Sequence, residues 1–286
     1  METLIKHIAE VTGGRIEKYQ PVSGGDIAEA FVLETANGSL FLKTLQNPDA
    51  KDIFSAEAKG LREMEKSQSI KVPEIISIGQ VNETSYLLLE YIEGKNVGAK
   101  DFEKLGRGVA KMHQYTTVSF GFESDNFIGL LPQSNRTSTS WPEFYTSERL
   151  MPQLEKAVKL GHLLPEETLT KERVLKTCKK LLPDCSASLL HGDLWSGNYL
   201  IAQSGIPYLI DPAVYYGHRE ADLAMSRLFG GFDESFYQAY YEVWPKEPEE
   251  AERIEIYQLY HLLVHLNLFG LGYKASVKRT LEKYFF

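Results

Sequence analysis

Apolar residues open the chain at helical spacing: Leu4, Ile5, Ile8 and Val11 mark one face, and Thr12-Gly13-Gly14 ends it. The period then shortens. Ile16 to Val22 reads as a strand, Ser23-Gly24-Gly25-Asp26 as a glycine turn, and Ala28 to Glu34 as a second strand centred on Phe31, Val32 and Leu33. Asn37-Gly38 is the strongest hairpin signal in the chain, and Ser39-Leu40-Phe41-Leu42-Lys43 returns from it. From about Asp52 to Lys66 the helical period comes back, with Phe54, Ala58, Leu61 and Met64 as its buried stripe. Val72 to Ile78 and Ser85 to Leu89 are two further strands. Alternation stops at Glu90-Tyr91-Ile92-Glu93-Gly94, where a hinge is expected.

Past the hinge, Asp101 to Tyr115 is an amphipathic helix through Phe102, Leu105, Val109 and Met112. Thr116 to Thr139 is rich in Gly, Ser, Asn and Thr and reads as one long loop. Loops of that length inside a domain are usually functional, so it is expected to wall the substrate side. Helical patterns resume at Trp141 to Lys159 and at Glu166 to Leu182. Then Ser188-Leu189-Leu190 leads into a loop and Tyr199 to Ala202 leads out. Gln203-Ser204-Gly205 turns the chain, and Ile206 to Ile210 ends on Asp211. A loop follows, then a helix with Glu220 and Asp222 in its first turn, and Phe232 to Phe286 is helical and rich in aromatic residues. The expected fold is α+β and bilobal. Residues 1–91 form a small antiparallel-sheet lobe with a helix, and residues 92–286 a larger, mainly helical lobe.

Composition removes whole classes of function. A chain of 286 residues can bury about three quarters of its unfolded surface, so it needs neither disulfide nor structural metal. Cys178 and Cys185 form no CxxC pair and read as free thiols in a reducing compartment. A formal charge of −8 argues against a nucleic-acid partner, whose phosphates demand a basic face. No run is long and apolar enough to span a bilayer, and Met1-Glu2-Thr3-Leu4-Ile5-Lys6 lacks signal-peptide features. A cytoplasmic protein without a membrane partner is expected.

The chemistry centres on His191-Gly192-Asp193-Leu194-Trp195-Ser196-Gly197-Asn198, with Asp211 a short ribbon further on. An acid, an amide oxygen and a second acid converging on one point suit phosphoryl transfer from ATP. Asp193 would orient the attacking hydroxyl, while Asn198 and Asp211 would hold Mg²⁺ against the polyphosphate. The spacing matches the protein-kinase pattern, but Gly192 stands where protein kinases carry arginine, and Pro212-Ala213 replaces their Phe-Gly pair. No APE motif follows. In that protein-kinase-like layout Lys43 binds phosphates, braced by Glu57, with Glu63 a rival by chemistry. The backbone of Ser23-Gly24-Gly25 covers the phosphates, and Glu90-Tyr91-Ile92 receives adenine through main-chain groups. His191 and Asp222 support the catalytic loop. His113 reads as a packed histidine. His261 and His265 share a helix face at metal-pair spacing, but no third ligand follows.

The chain resembles the fructosamine kinase (ketosamine 3-kinase) family, a small-molecule branch of the protein-kinase-like fold. The likeness is carried along nearly the whole length. It rests on SGGDIAEAF from Ser23, FLK from Phe41, LLLEYIEG from Leu87 and FGFESDNFIGLLPQSN from Phe120. WPEFYTSERLMPQL from Trp141, LLHGDLWSGN from Leu189, DPAVYYGHREADLAM from Asp211, LFGGF from Leu228 and YQLYHLLVHLNLFG from Tyr257 complete it. The tryptophan of HGDLWSGN together with DPAVYYGHRE is its most specific part. The resemblance implies phosphorylation of the 3-hydroxyl of a ribulosamine, erythrulosamine or fructosamine, borne by a small amine or a glycated protein. Decomposition of the 3-phosphate would then release the amine. It also implies that Trp195 faces the sugar; His265 reads either as lining the sugar pocket or as a buried, hydrogen-bonded histidine. Many relatives carry cysteine in the glycine turn where this chain has Asp26, so thiol control there is not expected. The alternatives are an aminoglycoside- or choline-type kinase and a non-catalytic kinase-like nucleotide-binding module.

Overall fold

The computed structural model describes residues 1–22 and 28–286, so the glycine turn Ser23-Gly24-Gly25 lies outside the described residues. After helix α1 (Glu2–Thr12) come β1 (Ile16–Val22), β2 (Glu29–Thr35) and β3 (Gly38–Leu45). Helix α2 (Ala50–Lys66), β4 (Ile75–Val81) and β5 (Thr84–Glu90) follow. The strands form one antiparallel sheet in the order β1-β2-β3-β5-β4. Successive side chains on a strand point to opposite faces. Accordingly Leu33, Leu42, Tyr86 and Leu88 pack with Leu4 and Ile8 of α1 on one side. Leu87 and Leu89 pack with Phe54, Ala58 and Leu61 of α2 on the other. Lys43 pairs with Leu87 across β3 and β5, so its side chain shares the α2 face. That register decides which way the lysine points.

The larger lobe begins with α3 (Ala99–His113), followed by β6 (Thr116–Thr117) and a hairpin of β7 (Asn126–Ile128) and β8 (Leu131–Gln133). Residues 116–139 are therefore not one open loop. Asn126, Gln133 and Asn135 are buried there because their amides serve main-chain carbonyls, which a pattern of hydrophobic residues cannot reveal. Next, α4 (Trp141–Phe144) passes through a π turn, Tyr145–Leu150, into α5 (Met151–Lys159). Pro152 has no N–H for the Glu148 carbonyl, and Arg149 Nη1 donates to that oxygen instead at 2.9 Å. The expected helix from Glu166 starts later, as α6 (Lys171–Leu181). Glu166 lies in a short 3₁₀ turn, and Thr170 Oγ1 caps the helix by accepting from Arg173 N–H.

Strand β9 (Ala187–Leu190) precedes the ribbon of β10 (Tyr199–Ile201) and β11 (Pro207–Leu209). It is the centre of a three-stranded sheet with β6 and β12 (Tyr215–Gly217). Four helices finish the chain: α7 (Glu220–Leu228), α8 (Glu234–Val243), α9 (Glu250–Phe269) and α10 (Lys274–Tyr284). Among the described residues no helix is long and apolar enough to cross a membrane.

Helices α3 and α8 approach so closely that a Cβ on Gly106 would stand 2.2 Å from the Phe236 carbonyl oxygen. Alanine normally favours a helix over glycine by about 1 kcal/mol. Here a backbone overlap of that depth outweighs the gain, since overpacking costs about 1–3 kcal/mol. Gly106→Ala is expected to lower stability by up to about 2 kcal/mol, the overpacking cost less the helix gain, in urea denaturation. Gly14→Ala, where a Cβ meets nothing within 4 Å, is expected to stay near wild type.

Candidate active site

The loop between β9 and β10 is held from behind by Asp222 of α7. This buried carboxylate accepts the His191 N–H at 2.7 Å and the Gly192 N–H at 2.9 Å. His113, at the end of α3, donates to it through Nε2 at 3.1 Å and takes the Tyr240 hydroxyl on Nδ1 at 2.7 Å. Burial opposes charge on Asp222, but the His113 and backbone donors outweigh it and hold the carboxyl below its usual range. Gly192 adopts a left-handed φ of 82°, and a Cβ there would meet the Ala213 carbonyl oxygen at 2.1 Å. Any side chain at 192, arginine included, is therefore shut out. His191 accepts the Asp193 N–H on Nδ1 at 3.2 Å, so Nε2–H donates to the Ile210 carbonyl at 2.8 Å. Burial keeps its pKa below the ordinary value and the ring neutral.

The ribbon returns the chain so that Ile210 N–H donates to the Asn198 carbonyl at 3.0 Å, placing Asp211 next to Asn198. The Asn198 amide directs Nδ2–H at the Asp193 carbonyl, 2.8 Å, and at Asp193 Oδ2, 3.2 Å. Its oxygen is left as a lone-pair donor. Asp211 stands at a left-handed φ of 54°, an uncommon conformation for a residue with a side chain. Its Oδ1 accepts from Lys43 Nζ at 2.9 Å, while Glu57 Oε2 accepts from the same ammonium at 2.7 Å. Burial opposes that ammonium, but the charges of Asp211 and Glu57 prevail and the lysine pKa is raised. Glu63 is no partner of Lys43: it accepts from the Tyr216 hydroxyl at 2.8 Å and pairs with Lys66. Asp193 shows part of its surface to the cleft. Even so, the packed protein around it pushes its carboxyl up to about 7; the Asn198 hydrogen bond opposes this, and the charges of Asp211 and Asp222 add to it.

These groups floor a cavity of about 810 Å³ that also takes in Trp195 and His265. The β7–β8 hairpin contributes Phe127, Ile128 and Gly129 to its wall. Asn126 Nδ2 donates to the Val214 carbonyl at 2.7 Å and Gln133 Nε2 to the Ala213 carbonyl at 3.1 Å. Tyr260 donates to Gln133 Oε1, and Arg149 to Asn135 Oδ1, each at 2.6 Å. This network anchors the segment just after Asp211, and sequence reasoning missed it. The closely spaced amides of Asn126, Gln133 and Asn135 were the available signal. His261 is buried outside the cavity lining, whereas His265 lines it and donates Nδ1–H to the His261 carbonyl at 2.8 Å. Glu90, Tyr91 and Ile92 do not join the cavity lining among the described residues. Glu90 turns back instead, accepting the Glu74 N–H at 3.2 Å beside a second cavity of about 1130 Å³ behind the hinge.

A sequence model of the fructosamine kinase family matches residues 1–286. The chain belongs to that family. An Enterococcus faecium protein named probable ketoamine kinase is 42% identical over 273 residues, covering 93% of this chain and 95% of its own. The chloroplastic protein-ribulosamine 3-kinase of Arabidopsis thaliana is 38% identical over 291 residues, 97% of this chain and 85% of the relative. A crystal structure assigned as a fructosamine-3-kinase, from Haemophilus somnus, superposes with a TM-score of 0.89 at 27% identity, over 99% of this chain and 97% of that one. The fold extends to aminoglycoside phosphotransferase APH(4)-Ia, at a TM-score of 0.63, 15% identity and 98% coverage of both chains. The bilobal α+β fold is thus the protein-kinase-like one.

In this fructosamine kinase family member one carboxylate, Asp222, takes three donors at the back of the loop. Asp222→Asn turns one acceptor oxygen into a donor facing another donor, which costs about 1–3 kcal/mol for a buried polar group. Urea denaturation is expected to show that loss. Unchanged stability would mean that other groups fix the loop.

Proposed function

We propose that this chain is an ATP-dependent ketosamine 3-kinase, transferring the γ-phosphoryl group of ATP to the 3-hydroxyl of a ribulosamine, erythrulosamine or fructosamine. The observation that carries this is Asp193 at the cavity floor, hydrogen-bonded to Asn198 and next to Asp211, with Lys43 reaching in from the opposite lobe. Asp193 takes the proton as the sugar oxygen bonds to phosphorus and the bond to the departing ADP oxygen breaks. Lys43, braced by Glu57, leaves Asp211 for the phosphate oxygens when nucleotide enters. The donor set fits Mg²⁺: the Asn198 amide oxygen is left open by its own hydrogen bonds, and Asp211 adds a hard carboxylate. Those two residues would hold the ion, which neutralises polyphosphate charge. Residues 1–91 cover the nucleotide, with main-chain groups of Glu90-Tyr91-Ile92 at adenine. Residues 92–286 carry the base and the substrate pocket, where Trp195 presents its flat face to the sugar and His265 stands at the pocket wall.

The relatives' names support the substrate class, since they specify ketoamine and protein-ribulosamine kinases. Decomposition of the 3-phosphate would free the amine, making the activity one of deglycation. Two free cysteines suit a cytoplasmic setting.

With a carboxyl pKa near 7, the base is lost as pH falls through that value, so kcat/KM is expected to drop on the acid side of about pH 7. Asp193→Asn is expected to lower kcat about 10²–10⁴-fold. ADP release measures the rate, and NMR of the ribulosamine product should place phosphate on the 3-oxygen. Phosphate on another oxygen, or near-normal turnover by the variant, would overturn the reading.

A further inference from the structure

Around His265 the cavity ends in a rim of three aromatic rings, two of them exposed. Phe229 follows α7, Phe269 closes α9, and Tyr273 lies in the 3₁₀ turn Leu271–Tyr273; all three line the cavity. They surround His265, whose ring centre is 4.6 Å from Phe229, 5.4 Å from Phe269 and 5.2 Å from Tyr273. Phe229 is 42% exposed and Phe269 54%, while Tyr273 is half-buried against the helical core, so the two phenylalanines stand outside the closed core. A group of large apolar rings left open at the mouth of a cavity marks a surface that something covers.

The cavity carries few charges. Among the described residues lining it, the formally charged side chains are Lys43, Glu57, Asp193 and Asp211, all at the transfer centre. Among the described residues lining the cavity, the rim holds no Lys, Arg, Asp or Glu, and its titratable side chains are His265 and Tyr273. On the ketosamine reading above, the nitrogen sits two carbons from the reacting C3, and its substituent must leave the sugar pocket through the mouth. We propose that Phe229, Phe269 and Tyr273 form the subsite for that substituent and select neutral, apolar ones. The inference rests on the kinase reading and adds to it a choice of amine.

An alkyl or aryl stem on the nitrogen loses apolar surface to the rings. An α-amino acid instead places a carboxylate beside the nitrogen, where the described lining residues offer it no lysine or arginine and His265 is enclosed by rings. Moving that charge against aromatic rings then costs more hydration than it recovers. The rim therefore favours benzylamine-like adducts and lysine side-chain stems over adducts of free α-amino acids.

The test compares ribulosamines made from benzylamine, methylamine and glycine, by ADP release, with wild type and Phe269→Ala. Phe269 is more than half exposed, so its truncation leaves the core intact. The benzyl adduct is expected to exceed the methyl adduct in kcat/KM by about tenfold, the scale of a modest apolar pocket contact, with the glycine adduct below both. Phe269→Ala is expected to reduce the benzyl-to-methyl ratio at least threefold, on the order of one lost ring contact. Turnover indifferent to the substituent, a glycine adduct equal to the benzyl one, or an unchanged ratio in the variant would overturn the rim assignment while leaving the kinase reading intact. Absence of ADP release with all three adducts would remove both.

Discussion

A buried lysine ammonium held between two carboxylates from different lobes is the interaction on which the rest of this structure depends. Lys43 reaches Glu57 on the helix of its own lobe and Asp211 on the other. Taking such a charge out of water costs several kcal/mol unless partners are supplied, and here both partners are needed at one nitrogen. The requirement fixes the face of β3 from which the lysine projects and the placing of α2 against the sheet. It also fixes the return of the ribbon that delivers Asp211 in a strained backbone conformation. One positive charge faces Glu57 and Asp211, with Asp193 close by. With all three ionised, the centre carries an excess of negative charge that a divalent cation would relieve. Burial, with the charges of Asp211 and Asp222 adding to it, lifts the Asp193 carboxyl into the range where a base can work near neutral pH.

The second constraint is the backbone of the His191–Asn198 loop. It is fixed from behind by Asp222 and His113, from the side by the Ile210 carbonyl, and in front by the contact of Gly192 with Ala213. None of these groups needs to touch a substrate. They position Asp193 and Asn198 through main-chain hydrogen bonds, which vary less in direction than long side chains do. The Asn126–Gln133 network does the same for the residues just after Asp211. A rigid floor beneath a cavity whose upper wall is a separate sheet suits a reaction in which two bound molecules must be aligned in line.

The residues of this centre were legible because each is bounded by strong local patterns. Short apolar runs mark β2, β3 and β5, and Lys43 lies within β3, two residues before its end. The 54-58-61 stripe orients α2 and with it Glu57. Asp193, Asn198 and Asp211 stand at fixed offsets around a short ribbon. What escaped notice has no period. Asn126, Gln133 and Asn135 sit in a polar segment that looks like a solvent loop, yet they are buried because they satisfy carbonyls brought near by tertiary structure. The π turn needs knowledge of which carbonyl Pro152 leaves without a donor and which arginine finds it. Phe229, Phe269 and Tyr273 look like core aromatics in a helical, aromatic-rich stretch, and only the folded chain shows them gathered at an opening.

On the proposed mechanism the Lys43–Asp211 bridge occupies the place of nucleotide and metal. A crystal structure with Mg²⁺ and a non-hydrolysable ATP analogue puts this to the test. Lys43 is expected to keep Glu57 but exchange Asp211 for phosphate oxygens, with the ion between the Asn198 amide oxygen and the Asp211 carboxylate. A nucleotide bound elsewhere while Lys43 stays on Asp211, or an ion that touches neither Asn198 nor Asp211, would contradict it.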